Sequence, residues 1–409
     1  MVVAPTSLNR AWDRRLRVYP RFLLAALAAA FVIVIASGNG STAMSGRLGG
    51  DFPAFFGAGS IVMAGQTDDL YEPAAQAAAQ IGLLGSEGGF IMYPYPPHVA
   101  AIYAPLSELP YRVAYALHTA AMVGAFIGAL ALIRPMVPFV ARWFSATIVV
   151  SATAYPVFVG LAGGQNTALS LLLVAAAWRA WHHDRDALAG LALALLLFRP
   201  QYAIPLLGLA FLDRRWRTVG SAAIGAAGVW LANAATAGAG WIGFWYDGVR
   251  PLLEADAEIN AVNEIAPTGV LVAVLGESTA AVAVGGAISA GIIGGLMWAW
   301  WSRRLDLGGR MALTAAALPL LGPHAIYYDT SFLLFTVTVL TDRRLLSPGS
   351  VGLVWLATWI HLARYPIGAN PLVVVIAVVL VIAATRLLRA QPADVPDRVL
   401  PTHDSYSVR

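Results

Sequence analysis

The chain is built from apolar runs of about 12 to 25 residues, separated by short loops that carry arginine. In hydrocarbon no partner exists for an unpaired peptide group, so such runs must be helical. About twenty residues at ~1.5 Å each cross a bilayer core. The expected fold is therefore all-α, a polytopic integral membrane protein. Composition agrees, with 59% hydrophobic and 12% charged residues, where soluble domains carry about 25% charge. A cytosolic enzyme, a secreted disulfide scaffold and a disordered regulator are excluded. The absence of cysteine removes disulfides, thiolate nucleophiles and Cys-ligated metals. All 26 basic residues are arginine, so P-loop and Schiff-base lysines are absent too. An isoelectric point near 9.4 would suggest nucleic acid in a soluble chain. Here the basic excess serves topology, and no nucleic-acid partner is expected.

The runs predict helices near 22–37, 112–133, 144–161, 166–178, 218–237, 279–301, 325–341, 350–363 and 371–388. Three pieces, 187–198, 202–212 and 311–321, are too short to cross alone. Charge places them. With Arg10, Arg14, Arg15, Arg17 and Arg21 in the cytoplasm, the loop 38–111 lies outside. A hairpin turning at Arg199-Pro200-Gln201 returns Asp213-Arg-Arg-Trp-Arg217 to the inside. A second, turning at Gly322-Pro323-His324, does the same for Arg343 and Arg344. Only Arg47, Arg112, Arg199, Arg250 and Arg364 then stay near the outer side. The result is a cytoplasmic N-terminus (1–21), a transmembrane domain (22–388) of about twelve helical crossings, some short or re-entrant, and a cytoplasmic tail (389–409). The first run also has the length of a signal-peptide core; the 38–111 loop is outside either way. Trp298, Trp300 and Trp301 read as interfacial anchors. Gly286, Ala290 and Gly294 read as a close helix contact.

This topology gathers unusual polar residues on the outer side: Asp51, Gly163-Gly164-Gln165-Asn166, Arg199-Pro200-Gln201, His324 with Tyr327, Tyr328 and Asp329, and His361 with Arg364-Tyr365-Pro366. Ionisable groups at membrane depth are costly and line cavities or pathways. A polar cavity opening outward beneath the first loop is expected.

The most specific signal is the order of motifs. Gly50-Asp51-Phe52-Pro53 follows the first helix. Ala64-Gly65, Leu70-Tyr71-Glu72-Pro73, Tyr93-Pro94-Tyr95-Pro96-Pro97 and Pro105-Leu106-Ser107-Glu108-Leu109-Pro110 come next, and the Gly-Gln-Asn turn, Arg-Pro-Gln and Asp-Arg-Arg-Trp-Arg later. From about 20 to about 345 the chain resembles glycosyltransferase family 87, polytopic GT-C-type enzymes such as the mycobacterial mannosyltransferases and arabinofuranosyltransferases. The resemblance implies a polyprenyl-phosphate sugar donor, a catalytic aspartate in the first extracytoplasmic loop, and inversion at the anomeric carbon. Mannose is the commoner donor sugar and arabinofuranose the alternative. The implied partners are that donor, a glycolipid or glycan acceptor and membrane lipids; the expected location is a bacterial plasma membrane, and the Arg- and Ala-rich, Lys-free composition suits a high-GC bacterial genome.

Such chemistry needs a base for the acceptor hydroxyl, cationic groups for the leaving phosphate and a lipid groove. No cofactor is required, and no metal. Asp51 is the leading base, near the membrane surface where partial desolvation suits it; an N-cap of the helix after it is the structural alternative. His324 is the second catalytic candidate. Arg199, then Arg364 and His361, are candidates for the donor phosphate. Gln165, Asn166, Tyr93, Tyr95, His98, Tyr328 and Asp329 are candidates for sugar or acceptor. Asp184-Arg185-Asp186 resembles the Asp-x-Asp of nucleotide-sugar enzymes, yet lies in a short cytoplasmic loop beside His182 and His183 and reads as a solvated loop and helix cap. Glu254, Asp256 and Glu258 do not converge at helical spacing. A carrier or flippase of lipid-linked sugars is the rival function, since it would use the same arginine-lined cavity.

Overall fold

The computed structural model describes residues 18–30, 32–33, 48–84, 90–322 and 325–390. Regular structure among them is helical, apart from an isolated bridge between Glu264 and Ile326. Four helices are long and apolar enough to cross a membrane: Tyr111–Ile133, Trp216–Ala237, Thr279–Ser302 and Leu372–Arg389. Phe144–Ala152 and Tyr155–Ala162, bent by 77°, together make a fifth apolar passage when counted as one broken span. Pro156, in the first turn of the second piece, has no N–H with which to continue the ladder. The run 144–161 is thus not one helix. Of the twelve expected passes, the others rest on pieces shorter than a crossing, among them Val18–Ala30, Pro200–Leu212 and Leu307–Leu321.

Where it is described, the 38–111 segment is largely helical. Phe52–Met63, Pro73–Leu84 and Pro97–Ser107 are helices, each started by a proline in its first turn, where a missing N–H costs nothing. Two buried glutamines clamp the segment between them. Gln76 accepts from Tyr93 N at 3.0 Å, and Gln80 both donates to and accepts from the Ile91 backbone at 2.9 Å. The stretch 238–266 likewise contains a helix, Trp241–Ile259.

Two helical hairpins organise the centre. Asp186–Leu195 and Leu196–Phe198 run to Arg199, and Pro200–Leu212 runs back. Arg215 closes the base by pairing with Asp186 at 2.7 Å. In the Asp-x-Asp segment, Asp184 and Arg185 are exposed and Asp186 opens the helix, as expected, with the Arg215 pair in addition. Leu307–Leu321 and Leu333–Asp342 form the second hairpin, with Thr336 donating to Ala312 O at 2.7 Å and Arg343 pairing with Asp306 at its base. The bases are joined through buried Asp213, which pairs with Arg215 (2.9 Å), Arg310 (3.0 Å) and Arg303 (3.1 Å). The tips meet as described below.

Two packing expectations fail. Trp300 is fully buried, donating to Thr314 at 3.0 Å, while Trp298 and Trp301 are exposed as anchors would be. Gly286, Ala290 and Gly294 lie on an exposed face with no neighbour at the glycines. Close helix contact is made instead at Gly190 against Thr218, where no Cβ fits.

Candidate functional site

The site starts from two glycine turns that fit into each other. Gly49-Gly50-Asp51 lies on Gly163-Gly164-Gln165, and Asp51 N donates to Gly163 O at 2.8 Å. Gly164 holds φ +71°, and a Cβ there would meet Phe52 Cβ at 2.6 Å and Gly49 O at 2.7 Å. Only glycine suits both the backbone and the space. The Phe52 ring anchors the turn among Tyr103, Tyr111, Tyr115 and His118, with ring centroids 5.0–6.2 Å away.

Asp51 precedes the Phe52–Met63 helix, yet its side chain makes no cap bond. Its carboxylate instead accepts from Gln165 Nε2. The N-cap alternative is therefore set aside. On the other side of the same amide, Arg199 Nη2 donates to Gln165 Oε1 at 3.4 Å. The Gln165 amide thus stands between a carboxylate and a guanidinium, with its NH₂ and C=O facing the charges that suit them.

Arg199 occupies the tip of the first hairpin, at the break before Pro200. It meets the tip of the second through an ion pair with Asp329 at 2.6 Å, both side chains only 4% exposed. Nη2 also donates to Tyr95 Oη at 3.2 Å, and Tyr95 donates to Asn166 Oδ1 at 3.3 Å. Burial pushes the Tyr95 phenol up against the pull of Arg199, so it stays a neutral hydroxyl. Tyr328 packs 5.7 Å from the guanidinium. The buried Nε of Arg199 has no hydrogen-bond partner among the described residues. Segments around 51, 95, 165, 199 and 329 therefore converge on one polar cluster.

Two expectations are corrected. Tyr93 is fully buried, with its hydroxyl donating to Pro96 O at 3.2 Å, so it presents no wall to a sugar. His98 is tied through N and Nδ1 to Asn233 Oδ1 at 2.9 and 3.0 Å, which docks the loop onto Trp216–Ala237. Burial lowers its pKa, opposed by the Asn233 bond. Arg199 and Asp329 are buried, and Asp51 is half-buried. Pairing explains this: an arginine and an aspartate leave water together at lower cost than either alone.

His324 lies outside the described residues. His361 and Arg364 form a neighbouring wall rather than part of the cluster. The His361 ring lies 4.1 Å from Tyr327 and 5.1 Å from Tyr155, with Nδ1 3.2 Å from Asn370 Oδ1. Arg364 donates to His361 O at 3.4 Å. The Tyr327 ring lies 5.2 Å from that of Tyr328, which joins the wall to the cluster. Tyr155, Asn370 and buried Glu264, whose carboxylate accepts from Ala325 N at 3.3 Å, escaped the sequence reading. Their only signal is position beside a Pro, an Asn-Pro or an acidic loop. Among the described residues no group of three His, Asp or Glu is arranged to hold a metal ion.

The cluster can take a proton at one end and stabilise negative charge at the other. The model of glycosyltransferase family 87 matches residues 93–323, more than half of the chain and inclusive of Tyr95, Gln165, Asn166 and Arg199. No curated protein and no solved structure matches. By that match, and with helices able to cross a bilayer, the chain is a membrane protein that belongs to glycosyltransferase family 87.

Proposed function

We propose that the protein moves a mannosyl residue from a polyprenyl-phosphate donor to a glycolipid or polysaccharide acceptor at the outer face of a bacterial plasma membrane. One observation carries this reading. Gln165 bridges the Asp51 carboxylate and the Arg199 guanidinium, so a base and a cation are held one amide apart. In the reaction, the acceptor oxygen attacks the anomeric carbon as its proton passes to Asp51. The bond from that carbon to the phosphate oxygen breaks, and the phosphate leaves with the electron pair. Arg199 meets the developing charge, its Nε–H being free to donate and its position fixed by Asp329 and Tyr95. Attack opposite to departure inverts the anomeric centre. Arg364 and His361 stand on the adjoining wall, where a cation and a ring donor suit the second phosphate face or the acceptor.

The test is transfer of label from radiolabelled polyprenyl-phosphate mannose, and in parallel polyprenyl-phosphate arabinofuranose, into a membrane lipid extract. Wild type is expected to label lipid from the mannosyl donor. Asp51→Asn should abolish turnover while donor binding persists. Labelling from neither donor refutes the reading, and labelling from arabinofuranose alone corrects the sugar. Undiminished movement of donor across vesicles by Asp51→Asn, without transfer, would make the protein a carrier.

A further inference from the structure

A groove of about 670 Å³ lies between the ends of Tyr111–Ile133 and Thr167–His182. Its walls include Gly128, Leu132 and Leu172, and Arg134 and Arg179 stand on its rim. Both helices start at the Asp51 cluster: Tyr115 donates to Ala162 O beside the glycine turns, and Asn166 precedes Thr167. From Tyr115 to Arg134 the helix advances about 28 Å at 1.5 Å per residue. That is close to the thickness of a hydrocarbon core. The groove therefore sits at the opposite membrane interface from the cluster.

Among the described residues the two arginines have no carboxylate partner. Arg134 lies 4.4 Å from the centre of the Phe144 ring, and Arg179 donates to Leu132 O at 3.3 Å. Among the described residues no carboxylate lines the groove either. The nearby Asp342 is engaged by Phe139 N at 2.6 Å and does not line it. Two cations at the mouth of an apolar trough, at interfacial depth, complement a phosphodiester headgroup carrying an acyl chain.

We infer that this groove binds an anionic phospholipid of the leaflet opposite the catalytic cluster, its phosphate between Arg134 and Arg179 and one chain along Gly128, Leu132 and Leu172. The site is separate from the proposed donor site, and its test does not depend on transfer.

Native mass spectrometry of the purified full-length protein, offered phosphatidylglycerol or phosphatidylcholine, reads the retained lipid. Wild type should keep phosphatidylglycerol in preference. Arg134→Gln with Arg179→Gln should lower its retention roughly tenfold or more, as expected for losing two basic residues beside an anionic headgroup. The paired lysine variant should restore most of it, and Arg217→Gln, an exposed arginine elsewhere, should leave it unchanged. Gly128→Leu should lower retention with both arginines intact, because a Cβ there already lies 3.1 Å from Leu172 Cδ1. Equal retention of the two lipids, unchanged retention in the double glutamine variant, or displacement of the lipid by inorganic phosphate alone would overturn the assignment.

Discussion

Asp329→Asn removes the carboxylate that faces Arg199 at 2.6 Å, where each side chain is 4% exposed. The guanidinium would then stay buried without its counter-charge. Breaking a buried pair in this way costs about 3–5 kcal/mol, because the surviving charge cannot reach water. The Coulomb energy of two charges about 4 Å apart at an effective dielectric of 20 is ~4 kcal/mol, the same size. Arg199 keeps its bonds to Tyr95 and Gln165, so the lower end, about 3 kcal/mol, is expected. Denaturation of purified protein, titrated at fixed detergent, measures it. The charge-neutral pair Arg199→Gln with Asp329→Asn should recover most of that stability, since no uncompensated ion remains. Transfer from polyprenyl-phosphate mannose should stay lost in the pair, because the leaving phosphate has no cation. The single variant matching wild-type stability to within about 1 kcal/mol would refute the energetic argument. Recovery of transfer together with stability in the pair would leave Arg199 a role in folding alone.

Gly164→Ala should lose the order of 1–2 kcal/mol from the left-handed backbone alone, plus the clash with Phe52 and Gly49, and should reduce turnover by shifting Asp51 from Gln165. Gly65→Ala, with φ +73° and open space around it, isolates the backbone part, so similar losses at both positions would mean that the docking of the two turns is unimportant. Asp213→Asn strands Arg310, whose side chain is 9% exposed, and should destabilise by about 3–5 kcal/mol in the same denaturation assay. Arg303→Gln, at a side chain 62% exposed, should cost under about 1 kcal/mol.

The apolar runs by themselves determined that the chain is helical and membrane-bound, because hydrocarbon leaves the backbone no other way to satisfy its hydrogen bonds. Arg199-Pro200 also marked the turn of the first hairpin in advance, since proline interrupts a ladder wherever it occurs. Asp51, Gln165 and Arg199 were singled out because charge and amides are rare among such runs. Their meeting was not legible. It depends on Gly164 having no Cβ, on Asp329 arriving from a hairpin 130 positions further on, and on Gln165 turning its amide between two charges. Tyr93 and His98 show the converse: the right residue types in the right loop were drawn into packing and docking by Gln76, Pro96 and Asn233. Local sequence sets which backbone states and which solvent a segment tolerates. Which polar group each buried charge faces is settled by elements distant in the chain, where satisfying one partner excludes another, and only the packed structure makes that choice.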